Sequence, residues 1–176
     1  MKEKQNPYKS HVLVLPEDRA NEEIVNGFNN FLDLYSRAIQ IERPADGWGK
    51  VVNKFKDEHI SNMRKFPKRM MVLLIDFDRR GERLSYVKSQ IPEDLQDRVF
   101  ILGVLSDPQD LKRIKKKFES IGTGKLEQIG ETLANDCSND NTNGLWGHDL
   151  LKHNKTELDR MILSVKPFLF NKVNEE

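Results

Sequence analysis

Two aspartates stand two residues apart at the end of the longest unbroken apolar run in the chain. The run is Met70-Met71-Val72-Leu73-Leu74-Ile75, and it leads into Asp76 and Asp78. Side chains alternate across a strand, so carboxylates at i and i+2 would point the same way. Two hard oxygen donors side by side suit Mg²⁺ or Mn²⁺. A third carboxylate, Glu17, follows another short apolar segment, His11-Val12-Leu13-Val14-Leu15, with Pro16 between. Three such groups brought together would repel unless a cation or a proton joined them. A divalent metal is the natural partner, and phosphate is its usual substrate group. Arg79 and Arg80 adjoin the aspartates and are the first candidates for binding that phosphate. The competing role for Asp76 or Asp78 is to cap the next helix, a position Asp favours.

These residues need elements to hold them. An apolar run closed by polar residues describes a strand buried on both faces, and open α/β sheets put their ligands at the carboxyl ends of such strands. Strands are expected over residues 11–15, 38–41, 70–75 and 98–104. Between them lie helical stripes. Ile24, Val25, Phe28, Phe31, Leu32 and Tyr35 mark a helix over 20–35; Trp48, Val51, Val52, Phe55, Ile60 and Met63 mark the next. A third is expected over 79–90. Asp107-Pro108 is a strong helix start, and Leu126, Ile129 and Leu133 face inward from a helix over 125–134. Strand and helix alternate, which predicts a three-layer α/β domain with a mostly parallel four-stranded sheet. It would occupy residues 10–135. Residues 136–176 would add a polar loop and a helical extension packed on the same domain, with Cys137 a free thiol in that exposed loop.

A Glu after the first strand, then Asp-x-Asp-x-x-Gly after the third, resembles the Toprim domain of topoisomerases, primases and old-family nucleases. The run Asp76-Phe77-Asp78-Arg79-Arg80-Gly81-Glu82 is similar to the Asp-x-Asp-x-x-Gly-Glu motif of type IA topoisomerases. The resemblance covers roughly residues 10–104. It implies a Mg²⁺-dependent nuclease, with Glu17 as general acid/base and Asp76 and Asp78 holding the metal. Glu17-Asp18 stands where Toprim domains have Glu-Gly, and no tyrosine marks itself as a topoisomerase nucleophile, which a hydrolytic nuclease does not need. Glu17, Asp18 and Asp76 also resemble the acidic set of response-regulator receivers. The alternative to a nuclease is therefore a non-catalytic Toprim-like or receiver-like module that works with a partner protein.

Composition excludes several classes. Net charge is +1, so any nucleic-acid partner would meet a local patch rather than a global basic field. One such patch is Lys112, Arg113, Lys115, Lys116 and Lys117, which on a helix is either a solvated face or a phosphate track. No apolar run is long enough for a membrane helix. One cysteine permits no intrachain disulfide, which fits a cytoplasmic protein. Cys137, His148 and His153 are too few and too spread for a structural zinc site. Trp146 is expected to anchor the polar loop to the body.

Overall fold

The computed structural model describes residues 6–111, 125–141 and 143–170. Among these residues four strands form: β1 (His11–Pro16), β2 (Ile39–Ile41), β3 (Arg69–Leu74) and β4 (Val99–Leu102). All neighbours are parallel, in the order β2-β1-β3-β4. Val14 lies against Val72, and Leu73 against Ile101. β1 and β3 are central. Both faces of these strands are covered, so their apolar residues run without polar alternation.

Helices cover the two faces. Val12, Val14, Val72 and Phe100 pack with α1 (Arg19–Asn29), α6 (Leu126–Ser138) and α7 (Lys155–Leu169). Leu13, Leu15, Met71, Leu73 and Ile101 pack with α2 (Trp48–Lys54), α3 (Ile60–Lys65) and α4 (Gly81–Ser89). The result is a three-layer α/β arrangement. A π-helical turn over Phe55–His59 joins α2 to α3 and buries Phe55 and His59. Helix α5 (Pro108–Leu111) starts where expected, with Asp107 Oδ1 accepting the Gln109 N–H at 2.7 Å. The basic residues from Lys112 to Lys117 lie outside the described residues.

Two expectations need correction. The first helix ends at Asn29, not at Tyr35. Asn29 and Asn30 are weak helix formers, and beyond them the chain turns. Leu34 is buried from that turn, and the Tyr35 N–H donates to the Leu169 carbonyl at 2.7 Å, but Leu32 points out and is 79% exposed. The second correction concerns Cys137, which belongs to α6 and is fully buried. It continues the stripe Leu126, Ile129, Leu133 by one further turn. Burial pushes its thiol up to about 12. The polar loop is closed from inside: the Asp136 carboxylate accepts the Leu145 N–H at 2.8 Å, and Trp146 Nε1 donates to the Leu133 carbonyl at 3.0 Å. Trp146 anchors the loop as expected.

α7 also seals the free edge of β4. The Glu157 carboxylate accepts the Ile101 N–H at 3.0 Å, and Arg160 Nη2 donates to the Val99 carbonyl at 3.0 Å. One residue beyond the strand, Asn154 accepts from the Gly103 N–H and donates to the Gly103 carbonyl, at 3.1 and 2.9 Å. These side chains occupy the hydrogen-bonding groups that another strand would use.

α1 and α6 cross at two glycines. A Cβ on Gly130 would stand 1.8 Å from the Ile24 carbonyl oxygen, and one on Gly27 would stand 1.8 Å from that of Glu127. Backbone, not flexible side chain, fills the space. Helix propensity alone would make Gly130→Ala stabilising by about 1 kcal/mol. The overpacking opposes this with about 1–3 kcal/mol. Thermal melting of Gly130→Ala is expected to show a loss of several degrees; a gain would mean that the helices do not touch there.

Candidate active site

From β1 the chain passes through α1 on one face to β2, then returns beneath α2 and α3 on the opposite face to β3. The crossovers change sides between β1 and β3. In a sheet of this order the crevice at the carboxyl ends of those two strands is the ligand position. Glu17 is the first residue after β1, and Asp76 is the second after β3.

The two meet. The Glu17 N–H donates to the Leu74 carbonyl at 2.8 Å and extends the parallel ladder. The next rung has a side chain in it: Glu17 Oε2 accepts the Asp76 N–H at 2.7 Å. Asp18 then caps α1, its Oδ1 accepting the Asn21 N–H at 2.9 Å. Asn21 Nδ2 donates to both Asp18 Oδ1 and Asp76 Oδ1, each at 3.0 Å. Arg83, in the first turn of α4, donates from Nη1 to the Asp76 carbonyl and lies 4.7 Å above the Trp48 ring. Gly103 lets the chain after β4 approach: a Cβ there would stand 1.6 Å from the Ile75 carbonyl oxygen.

Burial and like charge dominate the electrostatics. Asp76 is pushed up to about 7, first by burial and then by the charges of Glu17, Asp18 and Asp107, with the Asn21 hydrogen bond opposing. Glu17 is also raised, chiefly by burial and further by Asp18; the Asp76 amide, Arg83 and the Trp48 amide pull the other way. Asn21 Oδ1 is buried and has no hydrogen-bond partner.

The remaining candidate residues are placed differently. β3 ends at Leu74, and Asp78 and Arg79 adopt left-handed backbone with φ of 49° and 54°. The i, i+2 alternation of a strand therefore does not extend to Asp78, whose exposed carboxylate faces Arg80 Nε at 3.9 Å. Neither aspartate caps α4, whose N-cap residue is Arg80 and which has no side-chain cap. Arg79 and Arg80 are exposed at the rim. Cys137 lies in the core of α6, the His148 ring accepts the Leu150 N–H, and the His153 ring bonds the Gly103 carbonyl at 2.8 Å.

Sequence reasoning passed over Asn21 and Arg83. Asn21 had a signal: it lies three residues before Ile24 and seven before Phe28, so it is a polar residue on the apolar stripe of α1. No spacing marks Arg83.

Among the described residues, no three His, Cys, Asp or Glu side chains are grouped to hold a metal ion by themselves. Mg²⁺ rarely asks for that; one or two carboxylates with phosphate oxygens and water usually suffice. Glu17, Asp76 and the unpaired Asn21 Oδ1 supply hard oxygen atoms of the right chemistry. In comparisons with known protein families, characterised proteins and solved structures, the chain matches none.

The raised pKa of Asp76 has a stability consequence of definite sign. The folded protein keeps this proton up to about 7, whereas an unperturbed Asp releases it at 3.8. Between those values the folded state binds more protons, so stability falls as pH rises. Asp76→Asn removes that dependence. Its melting temperature is expected to gain several degrees on the parent between about pH 4.5 and about pH 7.5. Parallel melting curves across that range would show that Asp76 is ionised throughout.

Proposed function

We propose that this protein is a Toprim-like, divalent-cation-dependent phosphodiesterase acting on nucleic acid. The observation that carries the reading is the 2.7 Å contact between the Glu17 carboxylate and the Asp76 N–H, at the switch point of the sheet. Glu17 is the general acid/base: burial lifts its pKa towards the range in which a carboxyl can both take and give a proton. Asp76, with Asn21 Oδ1 beside it, would hold Mg²⁺ or Mn²⁺ next to Glu17. When bound, the cation would polarise a phosphoryl oxygen and favour ionisation of the attacking water. Asp76 must lose its proton to serve as a ligand, so cation affinity rises with pH through about 7. Asp78 stands outside the pair, and its place is at the rim with Arg79 and Arg80, where the arginines would receive the phosphates.

A second reading is a non-catalytic Toprim-like or receiver-like module acting with a partner protein. The exposed Asp78 and the Asn21 bond to Asp76 favour it, because together they leave a single pair of inward carboxylates, already hydrogen-bonded.

Hydrolysis of end-labelled oligonucleotides with millimolar Mg²⁺ or Mn²⁺ separates the two. The parent should cleave, and Glu17→Gln and Asp76→Asn should each lose at least about 100-fold while melting cooperatively. No cleavage by the parent, together with no rise in melting temperature on adding either cation, would favour the module.

A further inference from the structure

Beside the acidic pair lies a cluster that the reading above does not use. The Arg83 guanidinium sits 4.7 Å above the Trp48 ring. The Tyr86 ring meets Trp48 edge-on, with centroids 5.7 Å apart and planes at 88°. The cluster is joined to both acidic residues: Arg83 bonds the Asp76 carbonyl, and the Trp48 amide acts on the Glu17 carboxylate. Tyr86 is its outward member, 49% exposed.

The surroundings are open and carry exposed arginines, one of which, Arg80, lies 3.9 Å from the Asp78 carboxylate. A Cβ added to Gly49, next to Trp48, or to Gly81, at the start of α4, would meet nothing within 4 Å. Arg79 and Arg80 lie exposed one turn before Arg83. An acidic crevice repels phosphates, so a polyanion drawn to it needs cations of this kind at the margin.

We propose that Tyr86, backed by Trp48 and Arg83, is a base-stacking platform, and that the ligand of this site is single-stranded nucleic acid. This rests on the acidic end being a phosphodiester site. The chemistry selects strandedness: an unpaired base offers a free π face to a tyrosine or an arginine plane, whereas in a duplex both faces of each internal base are covered by its neighbours. Stacking on Tyr86 would hold a base on α4 while the adjoining backbone runs past Arg79 and Arg80 towards Glu17 and Asp76. A purely structural role is the competing account. α4 has one fully buried residue, Val87, so the cluster also pins this helix to α2.

The test is binding without cleavage. Fluorescence anisotropy of labelled oligothymidylate and of a blunt duplex is measured in EDTA, and again with Ca²⁺. The parent should bind the single strand at least about 10-fold more tightly than the duplex. Tyr86→Leu should weaken single-strand binding by about 5- to 100-fold with its melting temperature kept, and Tyr86→Phe should restore it. Equal affinity for duplex, no binding of either, or a Tyr86→Leu protein that melts earlier yet binds as before would each overturn the platform. If binding depends on Tyr86 but the parent cleaves nothing, the platform stands and the catalytic reading falls. If the parent cleaves and Tyr86→Leu binds unchanged, only the platform falls.

Discussion

A parallel sheet must do something with the backbone groups that continue past the ends of its strands, and here a carboxylate answers for one of them. β1 and β3 run side by side until the Glu17 N–H makes the last backbone bond between them, to Leu74. The Asp76 N–H would be the next to need a strand partner, and the Glu17 side chain takes that place. This bond fixes where Glu17 points. It also brings its charge against the Asp76 carboxyl, which burial already disfavours as an anion. Packing has thus placed two acids where at least one is costly to ionise, and a proton or a cation relieves the cost. Asn21 and Arg83 fit round that pair, one bonding the side chain of Asp76 and the other its carbonyl.

The rest of the molecule supports this arrangement from both sides of the sheet. α1 is capped by Asp18 and carries Asn21, and it is held against α6 by glycines that admit backbone contact. α7 closes the β4 edge with Glu157 and Arg160, and Asn154 just before it does the same, so the sheet presents side chains instead of open backbone there. The Arg160 bond to Glu157 keeps a buried carboxylate paired. The last third of the chain therefore completes the core that supports the acidic pair, and it seals the sheet edge farthest from β2.

Much of this was legible in residue order. Runs such as Val12-Leu13-Val14-Leu15 and Met71-Val72-Leu73 announce strands covered on both faces, and Asp107-Pro108 announces a helix start; all lie where expected. Glu17 and Asp76 could be matched because each follows a strong apolar run. What was not legible depends on three-dimensional closure. Asp78 was placed by extending strand alternation past Leu74, but the chain turns left-handed at Asp78 and Arg79. Cys137 sits in a stretch whose neighbours are polar, and only the α6 stripe and the fold-back of Trp146 explain its burial. The stripe of α1 marks Asn21 as a polar residue turned inward, but its partner Asp76 lies 55 residues away, and no spacing marks the Arg83 bond to the Asp76 carbonyl.

The central claim is that Glu17 and Asp76 form one cation-responsive site. Paramagnetic broadening of ¹H–¹⁵N NMR signals by substoichiometric Mn²⁺ tests it most directly, since broadening falls steeply with distance from the bound ion. The account predicts selective loss of the backbone signals of Glu17, Asp18 and Asp76 and of the Asn21 side-chain amide, increasing as pH is raised through about 7. Broadening that spares these signals and spreads instead over exposed carboxylates such as Asp78 would contradict it.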